Sequence, residues 1–151
     1  GPVDKITVDQ WNRVIGVNVT GMFLGIREVF PIMKRQGGGR IINIGSIAAQ
    51  RARHSSVPYT TSKHAVWGLT QASALEGRDF GIAVSCIHPG NTEVERRSEG
   101  KSSTGRDEGP EPSIGTNDIG QTALIMATLP QGSNMLEAIV LPLSQDYLGR
   151  G

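Results

Sequence analysis

The run Gly39-Arg40-Ile41-Ile42-Asn43-Ile44-Gly45-Ser46 decides the fold class of this 151-residue chain. Its centre is apolar, β-branched and nearly unbroken, which predicts a strand over residues 40–45 that is parallel and covered on both faces. The three glycines at 37–39 predict the end of a helix and a turn into that strand. They are not a phosphate loop, because such a loop lies between a strand and a helix. Ser46 therefore stands at the carboxyl end of a strand, where α/β sheets place their ligands.

A long helix is predicted before this strand, over residues 8–34. Thr7 and Gln10 have the spacing of a capping box. Asn18 falls on an apolar stripe that continues at steps of three, four or seven through Trp11, Ile15, Met22, Ile26, Val29 and Met33. A carboxamide on such a face needs hydrogen-bond partners, or it costs about 1–3 kcal/mol. Asn18 is either satisfied by a neighbouring backbone or part of a polar site.

A second helix is predicted over residues 58–79, with Ser55 or Ser56 as its cap and Pro58 in its first turn. Its predicted buried side is Ala65, Val66, Leu69, Ala72 and Leu75. A strand over 82–87 then leads to His88-Pro89-Gly90 at the same edge of the sheet. A helix near 118–129 and a strand near 138–141 complete a single α/β domain over residues 1–151. The order of elements predicts a truncated Rossmann-like parallel sheet of about three strands with flanking helices.

Composition excludes several classes of function. The net charge is +1 with both signs interspersed, so there is no electrostatic footprint for nucleic acid or an anionic membrane. Cys86 is the only cysteine, which excludes an intramolecular disulfide and fits a reducing compartment. No segment approaches the ~20 apolar residues that a membrane span needs. The three histidines lack metal-ligand spacing. We expect a cytoplasmic protein with a small-molecule substrate and no metal.

The segment 91–117 is rich in Ser, Gly, Glu and Arg and has almost no apolar residues. Such a long irregular stretch within a compact domain is typical of a flexible lid. Arg51, Arg53 and His54 precede the second helix, where they either contact an acidic substrate or lie solvated on a loop.

Three side chains form a compact acid/base set. Tyr59 and Lys63 share one face of the second helix as i and i+4, and Ser46 precedes Tyr59 by 13 residues. An ammonium about 4 Å from a phenol stabilises the phenolate by up to about 4 kcal/mol at an effective dielectric of about 20. A serine hydroxyl can hold a substrate oxygen while the phenol transfers the proton, and a buried asparagine can fix a water. This set predicts proton transfer at a carbonyl or alcohol.

In this order, the motifs resemble the C-terminal half to two-thirds of a short-chain dehydrogenase/reductase. The matching segments are residues 11–21, 39–46, 59–63 and 88–90. The resemblance implies that the catalytic tetrad is Asn18, Ser46, Tyr59 and Lys63. It also implies NAD or NADP as cofactor, with Pro89 and Gly90 beside the nicotinamide ring and Tyr59 and Lys63 at the nicotinamide ribose.

The chain departs from the family pattern in several places. The family's opening strand, its Gly-rich turn at the pyrophosphate and the residue that selects NAD or NADP have no counterpart in this sequence. Val94 stands where the family often has a carboxamide-binding threonine, which leaves Thr92 as the substitute. Without that portion, the strand over 40–45 is expected to be a sheet edge. The family's helix interface predicts a homodimer or tetramer through the helices near 8–34 and 58–79.

Three functional hypotheses follow. The chain is a fragment or truncated form of an NAD(P)-dependent oxidoreductase that acts on a carbonyl or alcohol. Alternatively, it is a cofactor-independent enzyme that uses Tyr59 and Lys63 for isomerisation, dehydration or cyclisation. In the third hypothesis it is a non-catalytic partner subunit of a full-length homologue.

Overall fold

The structure, a computed structural model, describes residues 1–93 and 111–148. In this part of the chain the α-helices are α1 (Val8–Ile15), α2 (Gly21–Gln36), α3 (Val57–Gly77) and α4 (Thr116–Thr128). The strands are β1 (Gly39–Ile44), β2 (Ile82–Pro89) and β3 (Glu137–Val140). All three are parallel in the order β1-β2-β3. The predicted α/β class and three-stranded parallel sheet are confirmed.

The N-terminal helix is not uniform, which corrects the prediction of one helix over 8–34. Thr7 and Gln10 form both bonds of the capping box and start α1. Residues Gly16–Thr20 then wind as a wider π-helical turn, in which Gly21 N–H reaches the carbonyl of Gly16. Gly37 ends α2 in the left-handed conformation, with φ of 81°, as the glycine run predicted. Single π-helical turns within α-helices occur frequently at functional sites, and Asn18 lies in this one.

Most of this helical segment lies on the surface, and Ile26 is the only residue that α2 buries among the described residues. The 29 residues Val8–Gln36 are long and apolar enough to cross a membrane by length and composition. That finding corrects the expectation that no segment comes near the required length. The core helix of a soluble protein can have the same length and composition. Length and composition therefore do not distinguish a membrane-spanning helix from a core helix.

Strand β1 lies at the edge of the described sheet, with β2 as its neighbour. The predicted cover on both faces is wrong, because Ile44 is 45% exposed. An open groove between β1 and α2 is lined by Met22, Gly25, Ile26, Val29, Met33, Arg40, Ile41 and Asn43. Strand β2 is the buried centre of the fold: Ile82, Val84, Cys86 and Ile87 are all buried, and both α3 and α4 contact the strand.

Helix α3 buries only part of the predicted face: Val66 is buried as predicted, but the rest of the buried face is different. Leu75 is 63% exposed and Ala72 is exposed, whereas the buried residues are Pro58, Ser62, Val66, Thr70, Ser73 and Gly77. Close approach to the sheet requires small residues on that face. A Cβ at Gly77 would lie 2.7 Å from the carbonyl oxygen of Ile82. The face is therefore chosen by fit and polar pairing, as in the 2.8 Å bond from Asn43 to Thr70, and not by apolar size.

The remaining elements agree with prediction to within a residue or two. Ser56 is the N-cap residue of α3, but its hydroxyl donates to Arg53 O and makes no capping bond. Of the predicted lid, residues 94–110 lie outside the described residues. Its two ends meet at a parallel bridge between Thr92 and Ile114.

Candidate active site

Ser46 lies just beyond the end of β1, next to the buried centre of the sheet. Gly45 N–H donates to Ile87 O at 2.7 Å, which extends the β1–β2 ladder by one bond. Ser46 is buried, has an extended backbone, and accepts a 3.1 Å bond from Ala48 N–H through its hydroxyl. This capping bond begins the short turn Ile47–Ala49. The serine hydroxyl is thus held at the carboxyl edge of the sheet, where the sequence placed it.

Lys63 reaches the same edge from α3. Its ammonium donates a 3.0 Å hydrogen bond to the carbonyl of Ile44, two residues before Ser46. The ammonium also lies 5.6 Å from the centroid of the Tyr59 ring. Burial lowers the pKa of Lys63 from its ordinary 10.5, while nearby Cys86 opposes this shift. The amine and the phenol therefore converge beside the end of β1, and the half-exposed Tyr59 ring remains open to a substrate.

Asn18 is tied to the first turns of α3. Its side-chain N–H donates to the Ser62 hydroxyl at 2.9 Å, and Ser62 in turn donates to Tyr59 O at 2.7 Å. The carboxamide is satisfied by a side chain 44 residues away and not by a neighbouring backbone. Ser62 is fully buried and was missed by sequence reasoning. Its only signal is that a small polar residue stands beside Lys63 on a helix that packs against a sheet.

The loop after β2 is fixed from the C-terminal side of the fold. Gly90 N–H donates to Val140 O at 2.8 Å, and Asn91 N–H donates to the Gln145 side chain at 2.9 Å. A Cβ at Gly90 would lie 3.2 Å from Leu141 Cα, so the close packing here requires glycine. The Thr92 hydroxyl donates to Gly90 O at 3.2 Å. Pro89, Gly90 and Thr92 thus form an ordered loop at the carboxyl end of β2.

A second cluster was not anticipated from the sequence. The Arg53 guanidinium donates to Asn91 Oδ1 and to Glu111 Oε1, both at 3.0 Å. Asn91 also donates to Glu111 at 2.9 Å. Arg53 is therefore paired with a carboxylate of its own chain, which argues against its contact with an acidic substrate. The cluster links the loop before α3 to the loop after β2.

Comparisons with known proteins show the family and the fold of the chain. The family described as short chain dehydrogenase matches residues 1–104. A 3-alpha-(or 20-beta)-hydroxysteroid dehydrogenase of Mycobacterium bovis is 46% identical over 90 residues, which are 60% of this chain and 35% of that protein. The solved acetoin dehydrogenase from Enterobacter cloacae is 26% identical, with a TM-score of 0.80 over 94% of this chain and 58% of that one.

A metagenomic short-chain oxidoreductase solved in complex with NADP is 27% identical, with a TM-score of 0.76 over 94% of this chain and 55% of that one. The match to the Mycobacterium bovis dehydrogenase spans about a third of the length of that protein. The matches to the two solved chains span somewhat more than half of theirs.

Proposed function

Because this chain belongs to the short-chain dehydrogenase family, we propose that it carries the proton-transfer part of the active site of an NAD(P)-dependent oxidoreductase. One observation carries the proposal: the 3.0 Å bond from Lys63 to Ile44 O, which brings the ammonium and the Tyr59 ring to the strand end that presents Ser46. The proposed substrate class is a secondary alcohol or the corresponding ketone, in keeping with the names of the hydroxysteroid and acetoin dehydrogenases.

Each proposed catalytic residue has a separate role. The Ser46 hydroxyl donates to the substrate oxygen, and the Tyr59 phenol gives the proton during reduction or takes it during oxidation. The Lys63 ammonium stabilises the phenolate by its positive charge. Asn18, anchored by Ser62, holds the π-helical turn against the start of α3 and fixes a water for proton exchange. When bound, the nicotinamide cofactor supplies or accepts the hydride.

The residues at this edge fit the nicotinamide-ribose end of such a cofactor. An ammonium has three donors, and Lys63 directs one of them to Ile44 O, so within the described chain two remain for ribose hydroxyls. Tyr59 lies on the same helix turn and is 43% exposed. Pro89 and Gly90 provide a fixed wall, and the Thr92 oxygen retains lone pairs to accept from a carboxamide.

We also propose that the chain acts as a homodimer or tetramer in the cytoplasm. Helices α2 and α3, which lie in the predicted interface segments, expose large apolar side chains, among them Phe23, Ile32 and Leu75. A Cβ at Gly25 or Gly68 would meet nothing within 4 Å, so these faces are open to a partner helix. The free thiol of Cys86 is consistent with a reducing compartment. The single-domain organisation and the lid at 91–117 stay predictions.

The test combines cofactor titration with activity. Isothermal titration of the folded chain with NAD+, NADH, NADP+ and NADPH measures whether this chain alone binds a dinucleotide, and acetoin and a 20-ketosteroid serve as the ketone probes. Tyr59→Phe should keep dinucleotide binding and lower the reduction rate by at least about 100-fold, since general acid catalysis contributes about 10²–10⁴. Thr61→Ala, an exposed change on the same helix turn, is the matched control and should behave as wild type.

Full activity of Tyr59→Phe would contradict the assigned role of the phenol. A folded chain that binds none of the four dinucleotides, yet catalyses a Tyr59-dependent isomerisation or dehydration, would favour the cofactor-independent hypothesis. Lack of both binding and chemistry would leave two hypotheses, a fragment of a larger reductase and a partner subunit.

A further inference from the structure

His88 is a fully buried histidine whose ring contacts the peptide of Ser46. Its Nδ1 lies 3.3 Å from Ser46 N and 2.9 Å from Ser46 O. The ring packs edge-on against Trp67, with the centroids 5.4 Å apart. Regular β1–β2 pairing ends at Ile44 and Ile87, so the imidazole lies where the Ser46 peptide has passed the last strand pair. His88 therefore supplies a hydrogen-bond partner for the Ser46 backbone, which lies beyond the last strand pair.

Gly45 makes room for this contact. A Cβ at Gly45 would lie 2.6 Å from His88 Nδ1 and 2.8 Å from Cys86 Sγ. Any other residue at position 45 would push the imidazole away from the Ser46 peptide. The glycine that precedes Ser46 is thus explained by the histidine on the neighbouring strand.

The other ring nitrogen faces a carboxylate. His88 Nε2 makes no hydrogen bond with the described residues, and Glu137 Oε1 of β3 lies 3.4 Å away. Glu137 is itself held by a 2.6 Å bond from the Gln50 side chain. A carboxylate repels a nitrogen lone pair and attracts an N–H, so it favours a proton on Nε2. In this tautomer Nδ1 accepts from Ser46 N–H at 3.3 Å, whereas Ser46 O, which lies closer to Nδ1 at 2.9 Å, by itself favours a proton on Nδ1. In either tautomer Nδ1 contacts the backbone of Ser46.

We propose that His88, oriented by Glu137, is a positioning residue that fixes the Ser46 peptide and so aims the Ser46 hydroxyl at the substrate oxygen. This inference rests on the catalytic role of Ser46 in the proposed function. His88 touches neither substrate nor cofactor. It acts by preventing rotation of the Ser46 backbone, which sets the position of the Ser46 hydroxyl. A misplacement of a catalytic group by about 1 Å lowers the rate by about 100-fold.

Two substitutions distinguish a positioning role of His88 from a packing role, because each places a polar atom near only one of the two ring nitrogens. His88→Asn puts a polar atom near the place of Nδ1 and keeps the contact with the Ser46 peptide. His88→Gln reaches towards the place of Nε2 and keeps the contact with Glu137 alone. Both lose the ring contact with Trp67, so both lose similar packing. Ser85 lies on the same strand as His88, and Ser85→Ala removes its partly buried hydrogen bond to Asn134, so this variant controls for general loss of stability.

The first measurement needs no catalytic activity. Amide hydrogen exchange at Ser46 should be slow in wild type and His88→Asn and at least about tenfold faster in His88→Gln, since the last variant leaves the amide without its acceptor. Nitrogen-15 NMR of the imidazole should show a protonated Nε2 in wild type, and Glu137→Gln should shift the ring towards the Nδ1–H form. Equal exchange in the two His88 variants, or an unprotonated Nε2 in wild type, would overturn the proposal.

The second measurement is kinetic. His88→Gln should lower kcat by about 10- to 100-fold with little change in KM for the dinucleotide, and His88→Asn should recover most of that loss. Ser85→Ala should leave kcat unchanged. Equal kcat in the two His88 variants would also overturn the proposal. If wild type reduces no ketone at all, the proposed function fails, and the exchange measurement alone decides the role of His88.

Discussion

At the scale of single residues, Lys63 combines a functional position with an electrostatic cost. Its ammonium is partly buried beside the end of β1, and this burial lowers its pKa below 10.5. The unfolded chain therefore holds the proton more tightly than the folded chain. The sign of the linkage follows: stability rises as the pH increases from just below the lowered pKa to 10.5, because the ammonium is lost first in the folded state.

Lys63→Met should consequently raise the melting temperature at pH 7 and remove this alkaline rise, because it replaces a partly desolvated charge by an apolar side chain. Thermal unfolding of both proteins between pH 7 and pH 10 measures the difference. Lys5→Met, on an exposed side chain, is the control and should change neither quantity. A lower melting temperature for Lys63→Met at pH 7 would show that the bond to Ile44 O outweighs desolvation.

Burial has the opposite effect on the pKa of Cys86, where it favours the neutral thiol over the thiolate. Cys86 is fully buried, and burial raises the pKa of its thiol to about 11. At pH 8 only about 0.1% of such a thiol is thiolate. Iodoacetamide labelling of the native chain at pH 8 should thus be at least about 100-fold slower than labelling in denaturant. Equally fast labelling of the two states would contradict the burial of this thiol.

At the scale of elements, Arg40 joins the start of β1 to the end of α4. Its guanidinium donates to the carbonyls of Leu129 at 2.6 Å, Pro130 at 2.9 Å and Ser133 at 3.1 Å. Carbonyls at a helix C-terminus have no partner within the helix, and a cation there also complements the helix dipole. One side chain thus completes the end of α4 and positions the approach to β3.

Arg40→Leu should lower the free energy of unfolding by about 1.5–3 kcal/mol, the range for hydrogen bonds that involve a charged group. Arg40→Lys should restore only part of it, because an ammonium cannot span three carbonyls as a planar guanidinium does. Urea unfolding measures both, and Arg35→Leu on the exposed end of α2 is the control. A loss below about 0.5 kcal/mol for Arg40→Leu would contradict the capping role.

The elements also show where local patterns fail. The capping box at Thr7 was readable because its two residues lie three positions apart. The buried face of α3 was not, because the apolar residues Leu69 and Leu75 suggested one face while close packing on the sheet selected the small residues Ser62, Thr70 and Gly77. Size at the contact, and not hydrophobicity, decided the orientation of the helix.

At the scale of the whole molecule, the apolar face that α3 exposes is the basis of a prediction about assembly. Leu75 is 63% exposed and lies on the same helix as Gly68, whose Cβ position is open. Light scattering of wild type should give the mass of a dimer or tetramer, and Leu75→Glu should shift it towards the monomer by placing a charge in the interface. Leu143→Glu, at a fully exposed position of the C-terminal segment, should leave the mass unchanged. A monomeric wild type would refute the proposed assembly.

The sequence by itself determined the parallel α/β class and the approximate bounds of the strands and later helices, and it suggested the acid/base residues Ser46, Tyr59 and Lys63. These follow from β-branched runs, helical periodicity and spacing within a few residues, which are local properties of the chain. Asn18 joined the three acid/base residues as a tetrad only through the family resemblance.

Only the tertiary structure decided which partners those residues meet. Asn18 bonds to Ser62 across 44 positions, Ser46 to His88 across 42, and Arg53 to Glu111 across 58. Such contacts depend on how the crossovers bring the strand ends and helix starts to one edge of the sheet. No local pattern records that placement, because each partner is chosen by the packing of whole elements.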